Sequence, residues 1–92
     1  MLFHVKMTVN IPVTVKKEEA DELKRTEREL SQKLQKDGKW KHVWRIVGHN
    51  ANYSIFDVKD HEELHDLLVQ LPLFPYMEIE VNALCKHPSS IS

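Results

Sequence analysis

Apolar and polar residues alternate over residues 2–9, "LFHVKMTV": Phe3, Val5, Met7 and Val9 fall on one side, His4, Lys6 and Thr8 on the other. A period of two predicts a strand with one apolar face, ended at or before Pro12. The period then lengthens. Ala20, Leu23, Leu30 and Leu34 recur at helical spacing within a helix predicted from about Lys17 to Lys36, and "DGK" (37–39) supplies a glycine stop. One position breaks that stripe: residue 27, which should be apolar, is Glu27. "KHVWRIVG" (41–48) reads as a second strand, with Val43, Arg45 and Val47 on one face and Trp44 and Ile46 on the other. A short "HN" (49–50) leads to "ANYSIFDV" (51–58), so 41–58 is predicted as a β-hairpin. Residues 60–71 predict a second helix, with Asp60 as N-cap and Leu64, Leu67, Leu68 and Leu71 as its buried stripe. Pro72 and Pro75 interrupt the chain before "YMEIEV" (76–81), a last alternating strand. The tail, about 82–92, has little periodicity and is expected to lie over the surface or onto a neighbouring subunit.

The order βαββαβ in a single domain of 92 residues predicts an α+β ferredoxin-like fold: an antiparallel four-stranded sheet with both helices on one side. The other side of the sheet then needs cover. Two such sheets facing one another, the dimeric αβ-barrel pairing, would provide it. A chain this short buries only about 60–65% of its unfolded surface, so oligomerisation would also help stability.

Charge and cysteine content narrow the partners. The formal net charge is −1, and Lys and Arg are interspersed with acids ("KKEEADELKRTERE") rather than gathered on a basic face, which argues against nucleic acid. Cys85 is the only cysteine, so neither an internal disulfide nor a thiolate metal cluster is expected. No apolar run is long enough to span a membrane, and the alternation of the first dozen residues is unlike a signal peptide. A reducing, cytoplasmic setting is the expectation.

Glu27 is the first candidate for chemistry. A carboxylate against an apolar seam is desolvated and its pKa rises unless a cation compensates; Lys24, at i−3, is placed to be that cation. Such a pair makes a general acid/base that works near neutral pH. Alternatively the helix is slightly rotated, and the two residues form an ordinary surface ion pair at its rim. Arg45 interrupts an apolar strand, and its planar fork suits a substrate carboxylate. An internal ion pair with Glu78 or Glu80, or an exposed strand face, would explain it equally well. His4 and Lys6 share the side of the first strand away from its apolar set, where they line a pocket between sheets or meet solvent. Asn52, Tyr53 and Ser54 offer hydrogen-bond donors near a hairpin end. His61 and His65 have the i, i+4 spacing of metal ligands, but no third ligand is signalled and both lie opposite the leucine stripe, so no metal is expected. There is no Ser-His-Asp or Cys-His arrangement, and with only Gly38 and Gly48 no glycine-rich phosphate cradle. Any reaction is expected to be cofactor-free.

Across nearly its whole length the sequence resembles the muconolactone Δ-isomerase family. The resemblance is carried by "MLFHVKMTV", "HVWRIVGHNANYSIFDV", "LHDLLVQLPLFPYMEIEV" and "LCKHPSSI", in order and at matching spacing. Asn50 departs from it: an aromatic residue is expected there after His49. The resemblance implies a ferredoxin-like subunit in a ring-like homo-oligomer, a decamer of paired subunits, with active sites near subunit contacts and no metal or organic cofactor. It also implies the conversion of (+)-muconolactone to 3-oxoadipate enol-lactone in the catechol branch of the β-ketoadipate pathway. In that reaction a base removes the ring C4 hydrogen, a conjugated dienolate forms, and an acid returns a proton at C2. On this reading Glu27 is base and proton shuttle, and Lys24 is its partner or the oxyanion stabiliser. Arg45 holds the carboxymethyl group, and His4, Asn52 and Tyr53 are further pocket residues. Which of Lys24 and Glu27 moves the proton stays open. The competing classes are an enzyme for chloro- or methyl-substituted lactones, a cofactor-free monooxygenase of the same fold, and a non-catalytic binding module.

Overall fold

Four strands and two helices follow one another in the predicted order in the computed structural model, which describes residues Met1–Ser92. They are β1 (Leu2–Val9), α1 (Lys17–Lys36), β2 (Trp40–Arg45), β3 (Ala51–Asp57), α2 (His61–Gln70) and β4 (Met77–Leu84), with a 3₁₀ turn at Phe74–Tyr76. The strands lie in the order β2-β3-β1-β4, and every neighbouring pair is antiparallel. This is the ferredoxin-like arrangement.

Local chemistry explains the boundaries. α1 ends where Gly38 takes φ +79°; its N–H donates to Gln35 O and that of Lys39 to Leu34 O, a Schellman closure. α2 begins at Asp60, whose carboxylate accepts from Glu63 N–H at 2.8 Å. β2 is shorter than its apolar pattern suggests. The hairpin closes at Ile46, whose N–H donates to Ala51 O, and Gly48, at φ +82°, carries the turn. β4 is longer than predicted, continuing to Leu84 through its pairing with β1. Residues 82–84 therefore belong to the sheet, and only the remainder of the tail leaves it.

The core is one cluster on the helix side of the sheet: Phe3, Val5 and Met7 of β1, Trp40 of β2 and Phe56 of β3, covered by Leu34 of α1 and by Leu64, Leu67, Leu68 and Leu71 in and after α2. A β-bulge between Trp40 and His42 shifts the face that β2 presents. Trp40 opposite Phe56, Val43 opposite Ser54 and Arg45 opposite Asn52 consequently all lie on the helix side. Of the α1 stripe only Leu34 is fully buried; Ala20, Leu23 and Leu30 are half-buried. The earlier part of the helix thus leaves one end of the sheet open.

Candidate active site

That open end forms a cavity of about 420 Å³. Its floor is the end of the sheet where Val9 and Arg45 finish their strands and Ala51 and Met77 begin theirs, together with Val43 and Asn52 just inside β2 and β3. Leu73 closes one side, and α1 provides a wall of Lys24, Glu27, Arg28 and Ser31. Those four positions are i, i+3, i+4 and i+7, one continuous helix face. The gap that Glu27 leaves in the leucine stripe is therefore part of a polar stripe running alongside it.

Glu27 is half-buried and its Oε1 accepts a hydrogen bond from the backbone N–H of Leu73 at 2.9 Å. Burial pushes its carboxyl above the ordinary range, and the Leu73 N–H pulls in the opposite direction. The predicted ion pair with Lys24 does not form. Lys24 lines the cavity but reaches no acid, and no cation lies within 4 Å of Glu27. Glu27 turns inward to the loop after α2, while Lys24 stays exposed.

Charges on α1 sort by face. Lys17 pairs with Asp21, and Arg25 with both Glu22 and Glu29. Lys24 and Arg28 on the cavity side have no acidic partner. Neither does Arg45 across the cavity, whose Nη1 makes only a 3.4 Å contact with His49 O; the alternative pairing with Glu78 or Glu80 is not made. Three free cations thus surround one carboxylate whose basicity is raised. An anionic ligand with an acidic C–H would meet both features there.

Asn52 is held in place from behind. The fully buried Ser54 hydroxyl donates to its Oδ1 at 2.7 Å, which leaves the Asn52 amide N–H groups uncommitted at the cavity. Asn50 fastens the hairpin end to β1: its Nδ2 donates to Val9 O, and its own carbonyl accepts from Val9 N–H. Asn50, where the sequence departs from the family pattern, lines the cavity; Arg28 and Ser31 are site residues not named from the sequence, and their signal is the 24/27/28/31 spacing.

His4 and Tyr53 do not join this site within the chain. Successive strand residues face opposite ways, so Tyr53 and His4 lie on the far side of the sheet, their rings stacked 4.8 Å apart. His42 and Trp44 stack beside them at 5.0 Å. Of the residues expected in one pocket, the chain brings together Glu27, Lys24, Arg45 and Asn52, and places His4 and Tyr53 elsewhere. His61 packs edge-on against Phe3, and no group of three or more His, Cys, Asp or Glu side chains is placed to share a metal ion.

Comparison with known proteins gives one consistent result. The family described as muconolactone delta-isomerase matches residues 1–90. A "Muconolactone Delta-isomerase 1" of Acinetobacter lwoffii is 63% identical over 99% of this chain and 95% of its own length. A "Muconolactone Delta-isomerase" of Pseudomonas putida is 62% identical with the same coverage, and one of Rhodococcus opacus is 51% identical over 98% and 97%. A crystal structure of muconolactone isomerase superposes with a TM-score of 0.95 at 63% identity, over all of this chain and 96% of that one.

Proposed function

Since the chain belongs to the muconolactone delta-isomerase family and is an isomerase of that kind, we propose that the cavity under α1 is its active site and that Glu27 is the base. The observation that carries this is a half-buried carboxylate, free of any cation and raised in pKa, facing a cavity ringed by unpaired cations. The substrate's carboxymethyl group is held by Arg45. Glu27 then takes the C4 hydrogen, whose bonding electrons pass into the ring and onto the lactone carbonyl oxygen as the dienolate. The same carboxyl returns the proton to C2 on the same face, and the C2–C3 double bond becomes C3–C4. No electron is gained or lost, so no redox partner is required.

The negative charge that develops on the carbonyl oxygen needs a donor fixed in advance. Lys24 and the Asn52 amide, oriented by Ser54, are the groups that supply it. Lys24 is exposed and bears on no acid, which suits a cation receiving charge better than one sharing the proton. Raised basicity matters because a carboxylate at its ordinary pKa is a weak base for a carbon acid.

The subunit is part of a homo-oligomer in this reading. Only 14 of its 92 residues are buried, and the uncovered sheet face carries the His4–Tyr53 and His42–Trp44 stacks with Trp44 57% exposed. These features support sheet-to-sheet pairing of two copies, and a larger ring of such pairs. No helix is long and apolar enough to cross a membrane, and one exposed cysteine, Cys85, fits a reducing cytoplasmic setting.

Initial rates with (+)-muconolactone test the assignment. Glu27→Gln is expected to lose about 10²–10⁴-fold in kcat, and Lys24→Met to lose less. Full activity in Glu27→Gln would remove Glu27 from the chemistry; a greater loss in Lys24→Met would make the lysine the group that moves the proton.

A further inference from the structure

One protein group is hydrogen-bonded to the Glu27 carboxylate: the backbone N–H of Leu73, donated from 46 positions away in sequence. The segment that delivers it is fixed on both sides. Leu71 N–H donates to Leu68 O, Phe74 N–H to Leu71 O and Tyr76 N–H to Leu73 O. Pro72 and Pro75 have no N–H and hold their own φ angles. Leu73 therefore carries the one N–H between Leu71 and Tyr76 that is not spent on the backbone, and it is spent on Glu27. Leu73 is 7% exposed and Leu71 2%, so the donor is anchored in the core at both leucines.

We propose that the Leu73 amide is a positioning group for the base, pinning Glu27 through Oε1 and leaving Oε2 as the oxygen that exchanges the proton with the lactone ring. This rests on the reading of Glu27 as the base. Two physical effects follow from the contact. The last torsion of a glutamate side chain is broad, so without the N–H the carboxyl plane would swing and lose alignment with C4 and C2, where misplacement by about 1 Å costs on the order of 10²-fold. An oxygen that accepts an N–H is also the less basic of the two, which directs the incoming proton to Oε2. Because the bond is stronger to the anion than to the acid, it keeps the half-buried carboxyl ionised over more of the working pH range than burial alone would allow.

The test replaces Leu73 in the full-length chain by its α-hydroxy acid, turning the amide into an ester that lacks the N–H and keeps the side chain. kcat/KM is expected to fall at every pH through lost alignment, and by about a further tenfold at the acid end of its profile, as the acid limb moves upward. Deuterium carried from C4 to C2 is expected to be retained less, because the freed carboxyl reorients and exchanges with water. The same ester change at Phe74, which removes only a backbone bond to Leu71 O, is expected to leave the limb in place. A Leu73 ester whose profile superimposes on wild type, or falls equally at all pH values, overturns the proposal. A measurement on the unaltered chain stands whether or not the ester folds. The Leu73 amide proton shift should titrate together with the acid limb and lose that titration in Glu27→Gln, and a flat shift overturns the proposal. Full activity in Glu27→Gln would overturn the base assignment and this inference with it, an outcome distinct from an unchanged ester profile.

Discussion

Arg45→Met removes the guanidinium from the cavity rim while keeping most of the apolar stem. In the free protein Arg45 is exposed and makes only the 3.4 Å contact with His49 O, with no acidic partner. Its loss should therefore leave folding stability within about ±0.5 kcal/mol, and the whole effect should appear in substrate binding. A desolvated charge-assisted contact to a carboxylate is worth about 1.5–3 kcal/mol, an exposed ion pair at most about 1 kcal/mol. A rim arginine partly covered by its ligand falls between them, at about 1–2 kcal/mol, which converts to roughly a 5–30-fold rise in KM. The carboxymethyl group bears on Arg45 equally before and during proton transfer, so kcat should change little. Initial rates followed by the ultraviolet loss of the conjugated lactone give both constants. Added salt should raise the wild-type KM more than the variant's. A fall in kcat at constant KM would place Arg45 on the developing dienolate instead, and unchanged constants would remove it from the site.

Three further outcomes follow from single contacts. Glu27→Gln should be more stable than wild type at neutral pH in chemical denaturation: a carboxyl whose folded pKa is raised costs stability as pH climbs from its unfolded value through its folded one, so the gain should vanish below the ordinary carboxylate range. Ser54→Ala should lower kcat/KM several-fold by freeing Asn52, with about 1 kcal/mol lost in stability; an unchanged kcat/KM would take Asn52 out of the reaction. Asp60→Ala should cost about 1 kcal/mol in thermal unfolding through the lost cap on Glu63 N–H, with kinetics untouched.

The fold was legible because each element carries its own period and punctuation: Phe3, Val5 and Met7 for β1, the leucine stripe of α2 after Asp60, Gly38 at the end of α1. What was not legible depends on register. β3 has usable hydrogen-bonding and apolar residues on both faces, and only its pairing of Phe56 with Phe3 turns Asn52 and Ser54 inward and Tyr53 outward. No local pattern marks the bulge after Trp40 that brings Arg45 to the same side. Glu27 was visible as a break in a stripe. Its true partner, a backbone N–H in the "LPLFP" turn, has no signature in residue type at all. The expected Lys24–Glu27 pair failed for the complementary reason: spacing on a helix puts two side chains within reach, but burial decides which way each one turns.

The most direct test follows (+)-muconolactone by proton NMR in deuterated buffer with chelator-treated wild-type protein and Glu27→Gln side by side. The account predicts rapid formation of the enol-lactone by wild type alone, with part of the hydrogen lost from C4 recovered at C2 and the remainder replaced by deuterium. Equal conversion by both proteins would keep the isomerase and contradict Glu27 as its base; no conversion by wild type would contradict the account as a whole.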